Sequence, residues 1–319
     1  MRRGDKVVIF DNLSKVGARG NLEWLCSHGP VEHVLADVRD AEAVEKLFSD
    51  HKDAERVMHL AGQVAVTRSL TNPREDFEAN ALGTFNVLEA MRRTSTGASL
   101  IFSSTNKVYG SMEDLSVRED EDRYSYDDLP LGVDEDRSLD FHSPYGCSKG
   151  AADQYARDYS RIYGLKTVVF RQSCIYGPRQ FGVEDQGWVA WFTIAAQLGR
   201  PITVYGDGKQ VRDVLYIDDL LDAFDAAYER IEAVAGRIYN IGGGSDKTLS
   251  LLELLRFLGK RSGAEIKVSM DAWRSGDQKV YISDITRACR ELGWQPEISV
   301  EAGIEKLYSW VEEHRGDFT

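Results

Sequence analysis

The chain has 319 residues, 42% of them hydrophobic and 29% charged, which is enough for a large packed domain with a smaller one beside it. No apolar run reaches the ~18–20 residues of a membrane helix and no secretory-signal pattern precedes the first strand, so we expect no membrane partner and a cytoplasmic location. A net charge of −13 argues against nucleic acid as a partner, and the four separated cysteines (Cys26, Cys147, Cys174, Cys289) read as reduced, buried thiols.

In chain order, segments 7–10, 31–38, 56–62, 99–104 and 166–171 are short, near-continuous apolar runs, the pattern of strands buried on both faces. Between them, 40–51, 73–92 and 144–163 carry helical periodicity. This alternation predicts an α/β fold with a Rossmann-type doubly wound parallel sheet. Segment 113–140 holds twelve carboxylates and three arginines, a net −9, and reads as a solvated loop whose functional content is steric. After about Pro178 the pattern loosens. Short strands in ITVYGD, RIYNIGG and EIKVSM mix with helices at 187–198, 217–230, 250–261 and 300–313, as expected of a smaller C-terminal α/β portion that caps the site.

Chemistry concentrates in SPYGCSKGAADQY, where Tyr145 and Lys149 stand four residues apart and so share one face of a predicted helix. A phenol titrates near ~10 in water. A neighbouring ammonium favours the phenolate and draws that value toward neutrality, making a usable proton carrier. Upstream, a strand ending in FSSTNKVYG delivers the hydroxyls of Ser103, Ser104 and Thr105 at its carboxyl end, the edge where open α/β sheets bind ligands. The six histidines form no ligand-spaced pair, so no metal site is expected, and Gly242–Gly243–Gly244 reads as a turn rather than a phosphate loop.

Hydroxyl, tyrosine and lysine in this order, together with VVIFDNLS, ADVRD, HLAGQ and ANALGTFNVLEA, resemble the extended branch of the short-chain dehydrogenase/reductase family, the NAD-dependent nucleotide-sugar epimerases and dehydratases. The resemblance runs from about Lys6 to Trp310. It implies NAD as cofactor, a CDP-linked or other nucleotide-linked sugar as partner, and Thr105, Tyr145 and Lys149 as catalytic residues. Thr105 would hold the reacting hydroxyl, Tyr145 would carry its proton, and Lys149 would lower the tyrosine pKa and bind the nicotinamide ribose. Asp11, with Asn12 and Ser14, would meet the adenosine ribose, and Asp37 and Val38 would flank the adenine. Leu60, Ala61 and Gln63 of HLAGQ would lie against the cofactor, Asn80 would brace the region, and Ser103 would complete the cofactor set.

Substrate contacts implied by the same resemblance are Thr105, Asn106, Gln186 and two diphosphate-clamping arginines, Arg212 and Arg274. Cys174 stands where many relatives carry an asparagine. FSSTNKVYG, EDQGWVAWF and GDGKQVRDVLY look most like the members that invert carbon 2 of CDP-linked 3,6-dideoxyhexoses through transient oxidation to a 2-keto sugar. The alternatives are another activity of the branch (4-epimerase, dehydratase or decarboxylase) or a non-catalytic truncated scaffold. Asn106 and Lys107 occupy the place where dehydratases carry Asp-Glu, which counts against dehydration. Relatives pair through helices that include the Tyr145 helix, implying a homo-oligomer. Residues 1–178 would form the NAD-binding domain and 179–319 mainly the nucleotide-sugar portion, the two interleaved.

Only ten residues precede Asp11, whereas the ribose acid normally follows a Gly-rich turn by ~20 residues. The expectation is a sheet lacking strand 1 and its phosphate loop, with Arg2, Arg3 and Gly4 as the tail of the first helix and the native start upstream of Met1. A true truncation is the alternative.

Overall fold

The computed structural model describes residues 4–94, 97–274 and 276–318; Arg2 and Arg3 lie outside them. The N-terminal half runs β1 (Val7–Asp11), α1 (Ala18–Ser27), β2 (Val31–Leu35), α2 (Ala41–Asp50), β3 (Arg56–His59), α3 (Val66–Thr71), α4 (Pro73–Phe77), a π-helical turn (Glu78–Leu82), α5 (Gly83–Thr94) and β4 (Ser99–Thr105). A 3-10 turn (Asn106–Tyr109) follows, then β5 (Val117–Glu119), β6 (Tyr124–Tyr126), α6 (Ser143–Tyr163), β7 (Thr167–Gln172) and β8 (Cys174–Tyr176). The remainder is α7 (Trp188–Gln197), β9 (Ile202–Tyr205), β10 (Val211–Tyr216), α8 (Ile217–Glu229), α9 (Ile231–Val234), β11 (Ile238–Ile241), β12 (Thr248–Ser250), α10 (Leu251–Ser262), β13 (Val268–Asp271), β14 (Val280–Tyr281), α11 (Thr286–Leu292) and α12 (Val300–Glu313).

Local sequence explains the punctuation. Asp40 caps α2 by accepting from the amides of Glu42 and Ala43, and Ser250 with Glu253 forms a full capping box on α10. Pro144 opens α6, and Gly164 closes it in the left-handed conformation (φ 69°) that suits a residue without Cβ. The predicted helix 73–92 is broken: Asn72 caps a short α4, and a wide π turn precedes α5.

The parallel sheet is doubly wound as expected, with strand order β11-β7-β4-β3. Successive residues of its central strands feed opposite layers. Leu100, Phe102 and Val169 pack with Val44, Phe48, Leu88, Met91 and Ala156 on one face, and Ile101, Val168 and Phe170 pack with Phe224, Ala227 and Leu292 on the other. β1 and β2 form a separate parallel pair, and among the described residues no backbone pairing joins β1 to β3. That pair is attached through side chains instead: Phe10 and Val57 both pack against the core beneath α2 and α5.

The C-terminal strands and helices bury a further core between α7, α10 and α12, with Phe192, Ile194, Leu254, Leu258 and Leu307 inside it. β10 pairs parallel with β8, and β11 adds to the main sheet, so the chain crosses between the two parts repeatedly.

Two expectations are corrected. Segment 113–140 is not simply a solvated loop: β5 and β6 pair as a hairpin, and Tyr124, Tyr126 and Val133 enter a core with Tyr109, Val211 and Tyr281. Its Glu135 side chain is 3% exposed, accepts from the Asn240 amide at 2.7 Å and pairs with Arg287. Aromatic and aliphatic residues between the carboxylates supply that anchor. The cysteines are free, but Cys26 and Cys147 are exposed and the other two only partly buried.

Beneath the strand ends, Arg171 of β7 donates through Nε and Nη2 to both carboxylate oxygens of Asp153 on α6, at 2.9 and 3.0 Å. Ser104 adds a hydroxyl to the same carboxylate, and Arg171 Nη1 reaches the Tyr109 hydroxyl. Replacing Asp153 with Asn leaves a buried guanidinium without its counter-charge, and we expect a loss of about 3–5 kcal/mol in urea unfolding. An unchanged midpoint would show that the pair holds nothing together.

Candidate active site

The carboxyl ends of β3, β4 and β7, together with α6, the 3-10 turn and the C-terminal elements, enclose a pocket of about 530 Å³. Tyr145, Lys149, Thr105, Ser103, Asn106, Gln186, Arg212, Arg274 and Leu60 all line it. The expected catalytic and substrate residues therefore converge on one cavity from segments 60 to 274.

The Tyr145 phenol and the Thr105 hydroxyl line the same part of the pocket, close enough for the hydroxyl to act on the phenol. Burial pushes the Tyr145 pKa up to about 12, the Thr105 hydroxyl opposes this, and the Asp76 carboxylate adds to it. The Lys149 side chain is directed to the sheet. Its ammonium donates to the Ser103 carbonyl at 2.5 Å and sits 4.2 Å over the Phe102 ring, and burial lowers its pKa to about 8. The helical spacing puts both residues on one face as predicted, but the four-carbon stem carries the charge to the sheet floor. There, Gln172 accepts from the Ser103 hydroxyl at 2.8 Å, while its own Nε2 is buried without a protein partner.

Polar residues behind the pocket hold this wall. The Asp76 carboxylate accepts from Ser148 Oγ at 2.5 Å, Gln63 Nε2 at 2.7 Å and Asn80 Nδ2 at 3.2 Å. Asn80 Oδ1 in turn accepts from the Gln63 amide. Asn80 and Gln63 thus spend their polar atoms on protein, behind the pocket. The expected adenosine contacts gather elsewhere, at the ends of β1 and β2 and outside the pocket. Asp11 accepts from the Leu13 amide, Asn12 donates to Asp37 at 2.8 Å, and its Oδ1 accepts from the Ser14 amide. Arg39 holds the Asp37 carboxyl well below the usual carboxylate range. Val38 lies against Gly83, and Ala61 adjoins the pocket-lining Leu60 and Gly62.

Elsewhere in the pocket, Arg212 is 7% exposed and donates to Asp277 at 2.6 Å, while Arg274 stacks 3.9 Å over Tyr205 and pairs with Asp185. Cys174 accepts from Trp188 Nε1. Sequence reasoning did not single out Gln172, Tyr205, Asp277 or the pocket-facing Lys107 as site residues. Gln172 was within reach, since it directly follows the predicted strand 166–171 at the ligand-binding edge. Asp277 carries no local signal.

With this geometry in place, comparison with known proteins gives the class. Residues 1–307 match the family model described as GDP-mannose 4,6 dehydratase, and the chain belongs to that family. It is 45% identical over 316 residues to a CDP-paratose 2-epimerase of Salmonella typhi, covering 98% of this chain and 93% of that protein. Among solved structures, a UDP-glucose 4-epimerase of Thermotoga maritima with UDP-glucose superposes with a TM-score of 0.81 at 30% identity, over 98% of this chain and 92% of that one. A UDP-glucose 4-epimerase of Thermus thermophilus in complex with NAD does so with a TM-score of 0.81 at 29% identity, over 98% and 93%.

Gly62 packs so closely on Asn80 that an added Cβ would lie 2.6 Å from Asn80 Oδ1. Gly62→Ala should therefore displace Asn80 from its network and cost about 1–3 kcal/mol of stability, measured by thermal or urea unfolding. A fully stable variant would mean that the wall yields freely.

Proposed function

We propose that the protein is an NAD-dependent nucleotide-sugar epimerase that inverts carbon 2 of CDP-paratose to give CDP-tyvelose. The single observation that carries this reading is the convergence of Thr105 and Tyr145 with Arg212 and Arg274 on one pocket. An acid–base hydroxyl and guanidinium forks in one cavity match a sugar alcohol joined to a diphosphate. The likeness to the Salmonella typhi enzyme supports the choice of sugar and carbon.

The C–H bond beside an alcohol is not acidic enough for direct proton removal, so inversion proceeds through a ketone. When bound, NAD supplies the hydride acceptor, which is also the donor of the return step. The unpartnered Gln172 Nε2, the Ser103 hydroxyl and the Lys149 ammonium fit the polar end of that group, and Asp11, Asn12, Ser14, Asp37 and Val38 fit its adenosine end. Tyr145 removes the carbon-2 hydroxyl proton and later returns it, while Thr105 orients that hydroxyl. Lys149, held on the Ser103 carbonyl, fixes a positive charge on the pocket floor. Arg212 and Arg274 grip the diphosphate so that the ketone can present its other face. Asn106 lines the sugar end, and Gln186 borders the nucleotide end beside Trp188. In this reading residues 1–178 serve mainly the cofactor and 179–319 the nucleotide sugar. The free cysteines suit a cytoplasmic setting, and no described helix is long and apolar enough to cross a membrane.

The test is incubation with NAD and CDP-paratose, with products assigned by NMR. CDP-tyvelose should form without deuterium entering carbon 2 in heavy water, and Tyr145→Phe should lower kcat by about 10²–10⁴-fold. Turnover of UDP-glucose at carbon 4 with CDP-paratose left untouched would sink the assignment.

The assembly we propose is a homodimer. Phe77 on α4, Phe85 on α5, and Tyr155, Ile162 and Tyr163 on α6 leave an apolar band 37–65% exposed. Light scattering should give a dimer, and a double change of Tyr155 and Ile162 to Lys should give a monomer. A monomeric parent protein would refute it.

A further inference from the structure

We propose that Lys107 decides which sugar carbon reacts, by holding the phosphate attached to carbon 1 between Thr105 and the Arg212–Asp277 pair. This rests on the carbon-2 reading above. Lys107 lies two residues beyond Thr105, on the 3-10 turn that Thr105 itself caps by accepting from the Lys107 amide at 3.2 Å. The hydroxyl that acts on the Tyr145 phenol is thus rigidly linked to the turn that presents this ammonium to the cavity.

Among the cations around Asp277, Lys107 is the one with no ion pair among the described residues; Lys149, on the pocket floor, likewise bonds only a neutral carbonyl. Arg212 already donates to Asp277, and Arg274 is paired with Asp185 and stacked on Tyr205. Lys107 Nζ reaches only two neutral acceptors, the Gly276 carbonyl at 3.4 Å and Gln278 Oε1 at 3.3 Å. Among the described residues no carboxylate comes within 4.0 Å of it. Burial, with Arg212 adding to it and Asp277 partly opposing it, has lowered its pKa to about 8, a cost that a phosphate oxygen would reverse.

The geometry of the sugar supplies the rest. Carbon 2 adjoins carbon 1, which carries the diphosphate, whereas carbon 4 lies across the ring. Oxidation at carbon 2 therefore brings the sugar-linked phosphate close to the phenol, while oxidation at carbon 4 leaves it distant. A cation within two residues of Thr105 is suited to the first arrangement and has nothing to bind in the second. Arg212 and Arg274, which share the surroundings of Asp277 with Lys107, would take the remainder of the diphosphate.

Calorimetric titration of the full chain with CDP and with CMP isolates the phosphate in question. The parent protein should bind CDP more tightly than CMP. Lys107→Gln should weaken CDP by about tenfold or more and CMP by less than about twofold, with kcat/KM for CDP-paratose falling in step. Lys107→Arg should keep most of the CDP affinity, and unchanged CMP binding certifies the fold. Equal losses for both nucleotides, no loss for either, or a parent protein indifferent to the second phosphate would each overturn the proposal. Failure of the function itself reads differently: carbon 2 of CDP-paratose would stay uninverted by the parent protein while the CDP and CMP titrations still report on Lys107.

Discussion

The buried pair between Arg171 and Asp153 is the constraint from which the site takes its geometry. Asp153 stands one helical repeat beyond Lys149 and two beyond Tyr145, on the same face of α6. Fixing that carboxylate to β7, and through the Ser104 hydroxyl to β4, sets both the rotation and the height of the helix above the sheet. Tyr145 then has little choice but to meet Thr105 at the end of β4. The same guanidinium reaches the Tyr109 hydroxyl, which donates to Asn240, whose amide group donates to Val133. One buried charge pair thereby ties helix, sheet and acidic segment into a single framework, so stability and chemistry share its residues.

Against that framework the pocket is electrically graded. Its catalytic floor is dry enough to raise a phenol and lower an ammonium. Its outer half gathers Lys107, Arg212 and Arg274 around Asp277, the environment an anionic nucleotide sugar needs. The net −13 of the chain does not oppose this, because net −9 lies in segment 113–140. Overall charge and local potential are separate quantities here.

Much of this was legible in the sequence. Apolar strands between helical segments announced a doubly wound sheet, because burial on both faces leaves a continuous hydrophobic run. Tyr145, Lys149 and Thr105 were legible because helical spacing and strand-end position are local properties. Their electrostatics were not. Whether Lys149 reaches the phenol or the Ser103 carbonyl depends on a long side chain choosing between partners that only folding brings near. The anchoring of segment 113–140 was masked for a related reason: its carboxylates dominate the composition, while a few residues such as Tyr124, Tyr126 and Glu135 decide its placement. Asp277 and Gln278, which surround Lys107 and Arg212, come from an unpatterned stretch and become meaningful only in three dimensions.

The split between the β1–β2 pair and the four-stranded sheet carries one more consequence. Strands knitted edge to edge open together, because releasing one exposes the ladder of the next. Among the described residues, the amides of Val7 to Asp11 and Val31 to Leu35 bond to each other, and the pair meets the rest of the protein through side chains, Phe10 in the core and Glu32 beside His51. Such a pair can detach as a cooperative unit of its own while β3, β4, β7 and β11 stay closed. In amide hydrogen exchange the two regions would separate into a fast-exchanging and a slow-exchanging population, and Asp11 at the end of β1 would open independently of Thr105 at the end of β4.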